Sequence, residues 1–425
     1  MSEYLKMNRQ ELESEFSAVS AEYEKMCALG LSLDMSRGKP GFDNADLSSE
    51  IFSLVNEEKG FKTENGTDCR NYGGLDGIAE IKKLFAELFE VEPENVIVGG
   101  NSSLTMMYDT IAQGMTHGFG DKPWAKQEGL KFLCPVPGYD RHFAITQYFG
   151  FELIPVEMTA EGPDMDKVEE LIKDEKVKGI WCVPKYSNPE GITYSDEVVR
   201  RLANMKPAAK DFRIFWDNAY AVHDLYDEGD TLLNIYEECK KAGNENMVFM
   251  FSSTSKITFP GAGVAAQAAS SQNIAMLKSR MQYQTIGPDK LNHLRHARMF
   301  SSLSDVKAHM KKHAEILRPK FDAVLSELEN KLAATGIARW TKPKGGYFIS
   351  LYVLEGTACR VAELCKNAGM VLTGAGATYP YGKDPKNANL RIAPSYPSVE
   401  EIKKASELLC VAVRYAALEK LLGEN

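Results

Sequence analysis

Between about residues 75 and 310, short apolar runs alternate with helical stretches. The runs are NVIVGG (95–100), KFLCPVP (131–137), FELIPVEM (151–158), GIWCVPKY (179–186), RIFWDNAY (213–220), MVFMFSS (247–253) and VAAQAAS (264–270). Most are rich in β-branched or aromatic residues, and all are too short for helices. Near-continuous apolar runs separated by helices mark strands buried on both faces of a mostly parallel sheet. The pattern predicts an α/β fold whose seven strands are flanked by helices. Upstream, 8–30 reads as an acidic amphipathic helix, and SLDMSRGKPGF (32–42) as a loop broken by Gly and Pro. After 310 the pattern changes. A helix over about 303–334 precedes a strand pair in GIARWTKPKGGYFISLYV, a helix over 358–369, the segments VLTGAGATYP and NLRIAPS, and a final helix over 398–422. This predicts a large domain over 50–310 and a smaller α+β domain built from 1–49 and 311–425.

The carboxyl ends of parallel strands are where ligands sit. Here the runs lead into GGNSS, PVPGYD, PKYSNPEG, DNAY and SSTSK, small, aromatic and charged residues suited to a ligand. GGNSSL (99–104) comes after a strand and opens a helix, whose free amides favour a phosphate; Ser102 and Ser103 add hydroxyl donors, or simply cap the helix.

Composition narrows the partners. The 425 residues carry 50 Lys+Arg against 59 Asp+Glu, a net charge of −9, which argues against general nucleic-acid or anionic-membrane binding. No apolar run approaches the ~20 residues that span a bilayer, and the N-terminus lacks a signal-peptide pattern. The eight Cys form no CxxC pair, and Cys134 and Cys182 lie inside apolar runs, as small buried hydrophobes do. A cytoplasmic protein is expected.

In this order and spacing the motifs resemble those of the fold-type I, pyridoxal-phosphate (PLP) dependent class I aminotransferases, and more narrowly a bacterial aspartate aminotransferase subgroup with RGKP and GGNSS signatures. The resemblance implies that Lys256 in SSTSKITFPGAG is the Schiff-base lysine of an internal aldimine. An amine nucleophilic near neutral pH needs its pKa lowered by about three units, roughly 4 kcal/mol, which desolvation and nearby positive charge supply. By the same resemblance Asp217 pairs with the cofactor's pyridine nitrogen, where the residues alone allow a helix cap. Tyr220 and Asn188 would bond the ring's phenolic oxygen, Tyr139 would stack on the ring, and Ser102, Ser103 and Ser253 would bind the phosphate. Tyr72 in RNYGGLDG would reach the phosphate of a neighbouring subunit, making the active enzyme a homodimer. Arg391 in NLRIAPS would grip the substrate α-carboxylate through its planar fork, beside Asn188 and Gly38.

One departure stands out. Many relatives carry a phosphate-binding Arg where this chain has Gly263, so another cation is expected, with Arg37, Lys39 and Arg280 as candidates. The implied reaction is ping-pong transfer of an amino group, from aspartate to 2-oxoglutarate. A second cation for the side-chain carboxylate would come from Arg37, Arg141, Arg280 or Lys290. The alternatives are an aminotransferase for alanine or aromatic amino acids, or a PLP β-lyase of the same fold.

Other signals are weaker. GAGVAA (261–266) fits a dinucleotide fingerprint, but its own VAA and the residues after it read as a strand, not a helix. His309 and His313 stand at i, i+4, but HMKKH lacks the Glu of HExxH and a third ligand, so no metal site is expected. Both read as solvated helix residues, as do His293 and His296. A transcription regulator with an aminotransferase-like domain would need an N-terminal DNA-binding module, whereas here only a segment of about 35 residues, acidic on balance, precedes SRGKP.

Overall fold

The computed structural model describes residues 3–424; residues 1, 2 and 425, assigned above to the smaller domain, lie outside the described residues. Strands β1 to β13 run, in order, over Leu33–Asp34, Val96–Val98, Lys131–Val136, Glu152–Thr159, Gly162–Pro163, Val177–Cys182, Arg213–Asp217, Val248–Ser253, Ala265–Ala269, Ala338–Trp340, Ile349–Val353, Met370–Val371 and Asn389–Ile392. All seven apolar runs are strands of one sheet, ordered β2-β9-β8-β7-β6-β3-β4-β5. The sheet gains an eighth member because two-residue β5 folds back antiparallel on β4, a piece too short to leave a hydrophobic signature.

The pairs β8–β7, β7–β6, β6–β3 and β3–β4 are parallel. β9 lies antiparallel between β8 and β2, which restores the common direction in β2. The carboxyl ends of β2, β3, β6, β7 and β8 therefore share one edge. Side chains alternate faces with period two. Leu133, Ile214, Trp216, Val248 and Met250 join a largely aliphatic core on one face. Phe132, Phe215, Phe249 and Phe251 join an aromatic-rich core on the other.

A third core surrounds the antiparallel sheet β10-β11-β13 and the helices Leu303–Leu332 and Val399–Glu424. The N-terminal helix Arg9–Ala28 starts with a capping box, Asn8 with Glu11, and joins this core through Leu12, Val19 and Met26. β1 pairs parallel with β12, which ties the loop at 32–42 to the same layer. Among the described residues no helix is long and apolar enough to cross a membrane. Cys134 and Cys182 are buried and unpaired.

The histidines differ from the sequence expectation. His293, His296, His309 and His313 are buried, not solvated. His309 Nε2 lies 3.1 Å from His313 Nε2 and 3.1 Å from the Ile257 carbonyl oxygen. Ser48 and Asn44 of the N-terminal segment contact the same two rings. His296 Nδ1 donates to the Asn292 carbonyl, leaving Nε2 to meet the Thr258 hydroxyl at 2.8 Å. Residues 309 and 313 fall on the stripe Val306, Met310, Leu317, Phe321 and Val324, so helical period explains their burial.

Burial lowers the His296 pKa to about 4 and the His313 pKa to about 3. An unfolded histidine protonates near 6.5, so below that pH the unfolded chain binds more protons than the folded one. Stability present above about 6.5 is therefore lost as pH falls toward the folded values, at up to about 1.4 kcal/mol per pH unit per group. Urea melts between pH 7 and 4 are expected to show this decline, with a shallower slope in His296→Gln.

Candidate active site

β7 ends at Asp217, which is 4% exposed. Its Oδ2 lies 2.9 Å from His142 Nε2, and its Oδ1 is buried without a partner. No helix begins there, so the cap role open to Asp217 in the sequence is not the one it has. His142 is locked by its neighbours: it stacks on Trp181 at 4.4 Å and meets the Tyr139 ring edge-on at 4.9 Å. A buried carboxylate with one oxygen fixed and one unpartnered is an acceptor waiting for a single N–H donor.

Three residues past β8, half-buried Lys256 holds its Nζ 5.0 Å from the centroid of the Tyr220 ring. Burial lowers its pKa from the ordinary lysine value, the Arg391 charge acts in the same direction, and Asp217 opposes both. Burial also holds the Tyr220 phenol well above its usual range. Tyr139 is the N-cap of the helix Asp140–Tyr148. Its phenol is pushed up to about 12, by burial first and then by the Asp217 charge.

Arg391 lies in β13 and is 8% exposed. Its Nη1 donates to Asp140 Oδ1 at 3.1 Å and Asn188 Oδ1 at 3.3 Å, and its Nη2 to Thr373 Oγ1 at 3.3 Å. Its Nε is buried and unpartnered. The guanidinium carbon lies 5.0 Å from the centroid of the Phe348 ring. A Cβ on Gly38 would run into that same ring, so glycine is what lets the N-terminal loop approach. Arg391 and Asn188 are thus in contact, and Gly38 lies against the ring that Arg391 faces.

Ser102 is the N-cap of the helix Ser103–His117 and makes no side-chain cap bond, so the first-turn amides lack a capping partner there. Ser253 Oγ lies 3.0 Å from Ser255 Oγ, which in turn donates to the Asn101 carbonyl at 3.1 Å. A Cβ on Gly263 would lie 3.1 Å from the Ser255 nitrogen, so the missing arginine would have grown from beside these hydroxyls. Arg280, with Nη1 buried and unpartnered, lines a cavity of about 560 Å³ together with Gly99–Ser102. Lys39 sits over the Tyr396 ring instead, and Arg37 is exposed. Arg295, marked by no motif, lines a second cavity with Gly99–Asn101 and Gly261–Gly263.

Tyr72 is 83% exposed. Its loop is held by Lys290, whose buried Nζ donates to the Gly73 carbonyl at 2.6 Å. Arg141 is exposed at the first turn of its helix. His142 is the site residue the motifs missed; its signal is a place one helical turn after Tyr139, facing the strand ends. Nothing in the donor set resembles a metal centre, and no metal-ligating cluster occurs among the described residues. The set does fit a phosphorylated pyridine aldehyde: an amine, an orphaned carboxylate oxygen for a ring N–H, and amides with hydroxyls for a phosphate.

Comparison with known proteins agrees. The model of the family "Aspartate amino-transferase" matches residues 7–425. An aspartate aminotransferase of Corynebacterium glutamicum is 49% identical over 403 residues, covering 94% of this chain and 93% of its own. The crystal structure of an aspartate transaminase from that organism superposes with a TM-score of 0.96 at 47% identity, over 98% of this chain and 99% of that one. An α-aminoadipate aminotransferase of Thermus thermophilus, complexed with N-(5′-phosphopyridoxyl)-L-leucine, shares the fold at 22% identity, with a TM-score of 0.73 over 94% of this chain and 95% of its own. With an α/β fold of this kind and relatives this close, the chain belongs to the aspartate aminotransferase family and is an aminotransferase, an enzyme of the PLP-dependent class.

Proposed function

We propose that this enzyme moves the amino group of aspartate to 2-oxoglutarate by a ping-pong mechanism, within the bacterial subgroup marked by RGKP and GGNSS. The observation that carries the cofactor assignment is the buried, unpartnered Oδ1 of Asp217. Aspartate is favoured by the 49% identical relative that bears that name. When bound, pyridoxal phosphate supplies a carbonyl that condenses with amines and a ring that withdraws electrons from the substrate α-carbon.

The chain's own residues do the rest. Lys256 Nζ would hold the cofactor and, once freed by substrate, would take and return the α-proton as general base. Its lowered pKa suits both duties. Asp217 accepts the ring N–H at Oδ1 while His142 fixes Oδ2, which keeps that nitrogen protonated. Tyr139 would stack on the ring, and Tyr220 and Asn188 would bond its oxygen. Ser102, Ser103, Ser253 and the amides after Gly100 receive the phosphate, joined by Tyr72 of the partner subunit in a homodimer. The 83% exposure of Tyr72 supports such an outward reach. Arg391 holds the α-carboxylate beside Asn188 and Gly38. Arg37 and Arg141, both exposed and without an ion pair among the described residues, are the cations for a side-chain carboxylate. A large domain over 50–310, a smaller one from 1–49 and 311–425, and a cytoplasmic location complete the proposal.

Purified protein given aspartate and 2-oxoglutarate is expected to form oxaloacetate and glutamate. Activity only with alanine or aromatic donors, or pyruvate release from cysteine conjugates, would overturn the substrate assignment.

A further inference from the structure

Arg391 already holds a carboxylate. Asp140 Oδ1 lies 3.1 Å from its Nη1, and the same Nη1 reaches Asn188 Oδ1. The arginine side chain is 9% exposed and that of Asp140 is 38% exposed, so the pair stands at the rim of the site with the cation on the inner side. Guanidinium binds a carboxylate best through two parallel N–H bonds. An incoming substrate carboxylate gains that geometry only if Asp140 lets go of Nη1.

We propose that Asp140 is a displaceable internal counter-ion that competes with the substrate carboxylate for Arg391, and so sets how strongly the site demands one. This inference rests on Arg391 being the carboxylate anchor. Asp140 keeps the guanidinium from standing as a poorly solvated, unneutralised charge. It also penalises weak ligands: a molecule without a carboxylate cannot replace the bond it breaks, whereas an α-amino acid or 2-oxo acid returns a better one. Asp140 is thus a specificity-determining residue that acts through Arg391.

A simpler role is open to an acid at the first position of a helix, where it complements the helix dipole. That role affects stability alone. The counter-ion role affects carboxylate affinity, and in an unexpected sense: removing the charge should tighten binding.

The test is equilibrium binding of succinate to the holoenzyme by calorimetry, with KM and kcat for amino acid and oxo acid alongside. Asp140→Asn is expected to bind succinate roughly two- to fivefold more tightly, the range of a partly exposed ion pair. KM should fall for both substrates while kcat changes little. Asp140→Glu should stay near the parent, and Asp140→Ser gives the same readout if the Asn variant folds poorly. Unchanged affinity in the Asn and Ser variants would reduce Asp140 to a helix-end charge. Weaker affinity would make it a support that orients Arg391. Either result overturns the proposal. Arg391→Lys separates the two assumptions: if it leaves succinate binding unchanged, the anchor assignment itself fails, whatever Asp140 does.

Discussion

Lys256→Ala is expected to lower turnover by about 10⁴-fold or more, because on the proposed mechanism one amine is both the nucleophile that attaches the cofactor and the base that moves the α-proton. Roles that share one atom fail together, so the loss should fall on kcat for every substrate pair. Borohydride reduction of the parent followed by peptide mapping should fix a pyridoxyl group on the peptide that contains Lys256, and the variant should carry none there. The side chain is half-buried over the Tyr220 ring and makes no side-chain hydrogen bond or ion pair among the described residues, so its truncation should cost little stability. Parent-like turnover in a well-folded variant would end the mechanism.

Asp217→Ala should rank second. In the proposed mechanism its carboxylate keeps the cofactor nitrogen protonated, and an opposite charge within about 4–6 Å is worth up to about three pKa units, or roughly 10²- to 10³-fold in kcat. Asp217→Glu should recover part of the rate, since it restores the charge but not the position. Unlike the lysine variant, this one should also lose stability. His142 is 1% exposed, and without Asp217 its Nε2 is left unbonded in the core, a loss of about 1–3 kcal/mol. Rapid loss of cofactor colour on dilution and a lower urea midpoint would report the two effects separately. A kcat within a few fold of the parent would show that the ring nitrogen takes its proton elsewhere.

The sheet was legible because its central strands β3, β6, β7 and β8 are near-continuous apolar runs, buried on both faces and bounded by turn residues. Once those runs are strands of one direction, Tyr139, Asn188, Asp217 and Lys256 must gather at one edge. What escaped was local in a different sense. His142 sits in a helix among unremarkable neighbours, and only the facing strand gives it meaning. The four buried histidines were misjudged because no ligand pattern singled them out; for His309 and His313, phase on the helix decides burial. The partnership of Arg391 with Asp140 joins positions 251 residues apart, which no motif spans. Arg295, set across a cavity from Gly263, was equally invisible.

Arg391 rides on the three-stranded sheet, whereas Asn188 and Lys256 ride on loops of the eight-stranded one and Asp140 on the helix that follows its strand β3. On the proposed assignment a bound amino acid would be a strut across the seam between the two sheets. Its length would then set how closely they approach, so discrimination between donors a methylene apart would become a matter of docking geometry more than of cavity size. Directed evolution toward longer substrates should accordingly find useful changes along that seam, far from any atom the ligand touches.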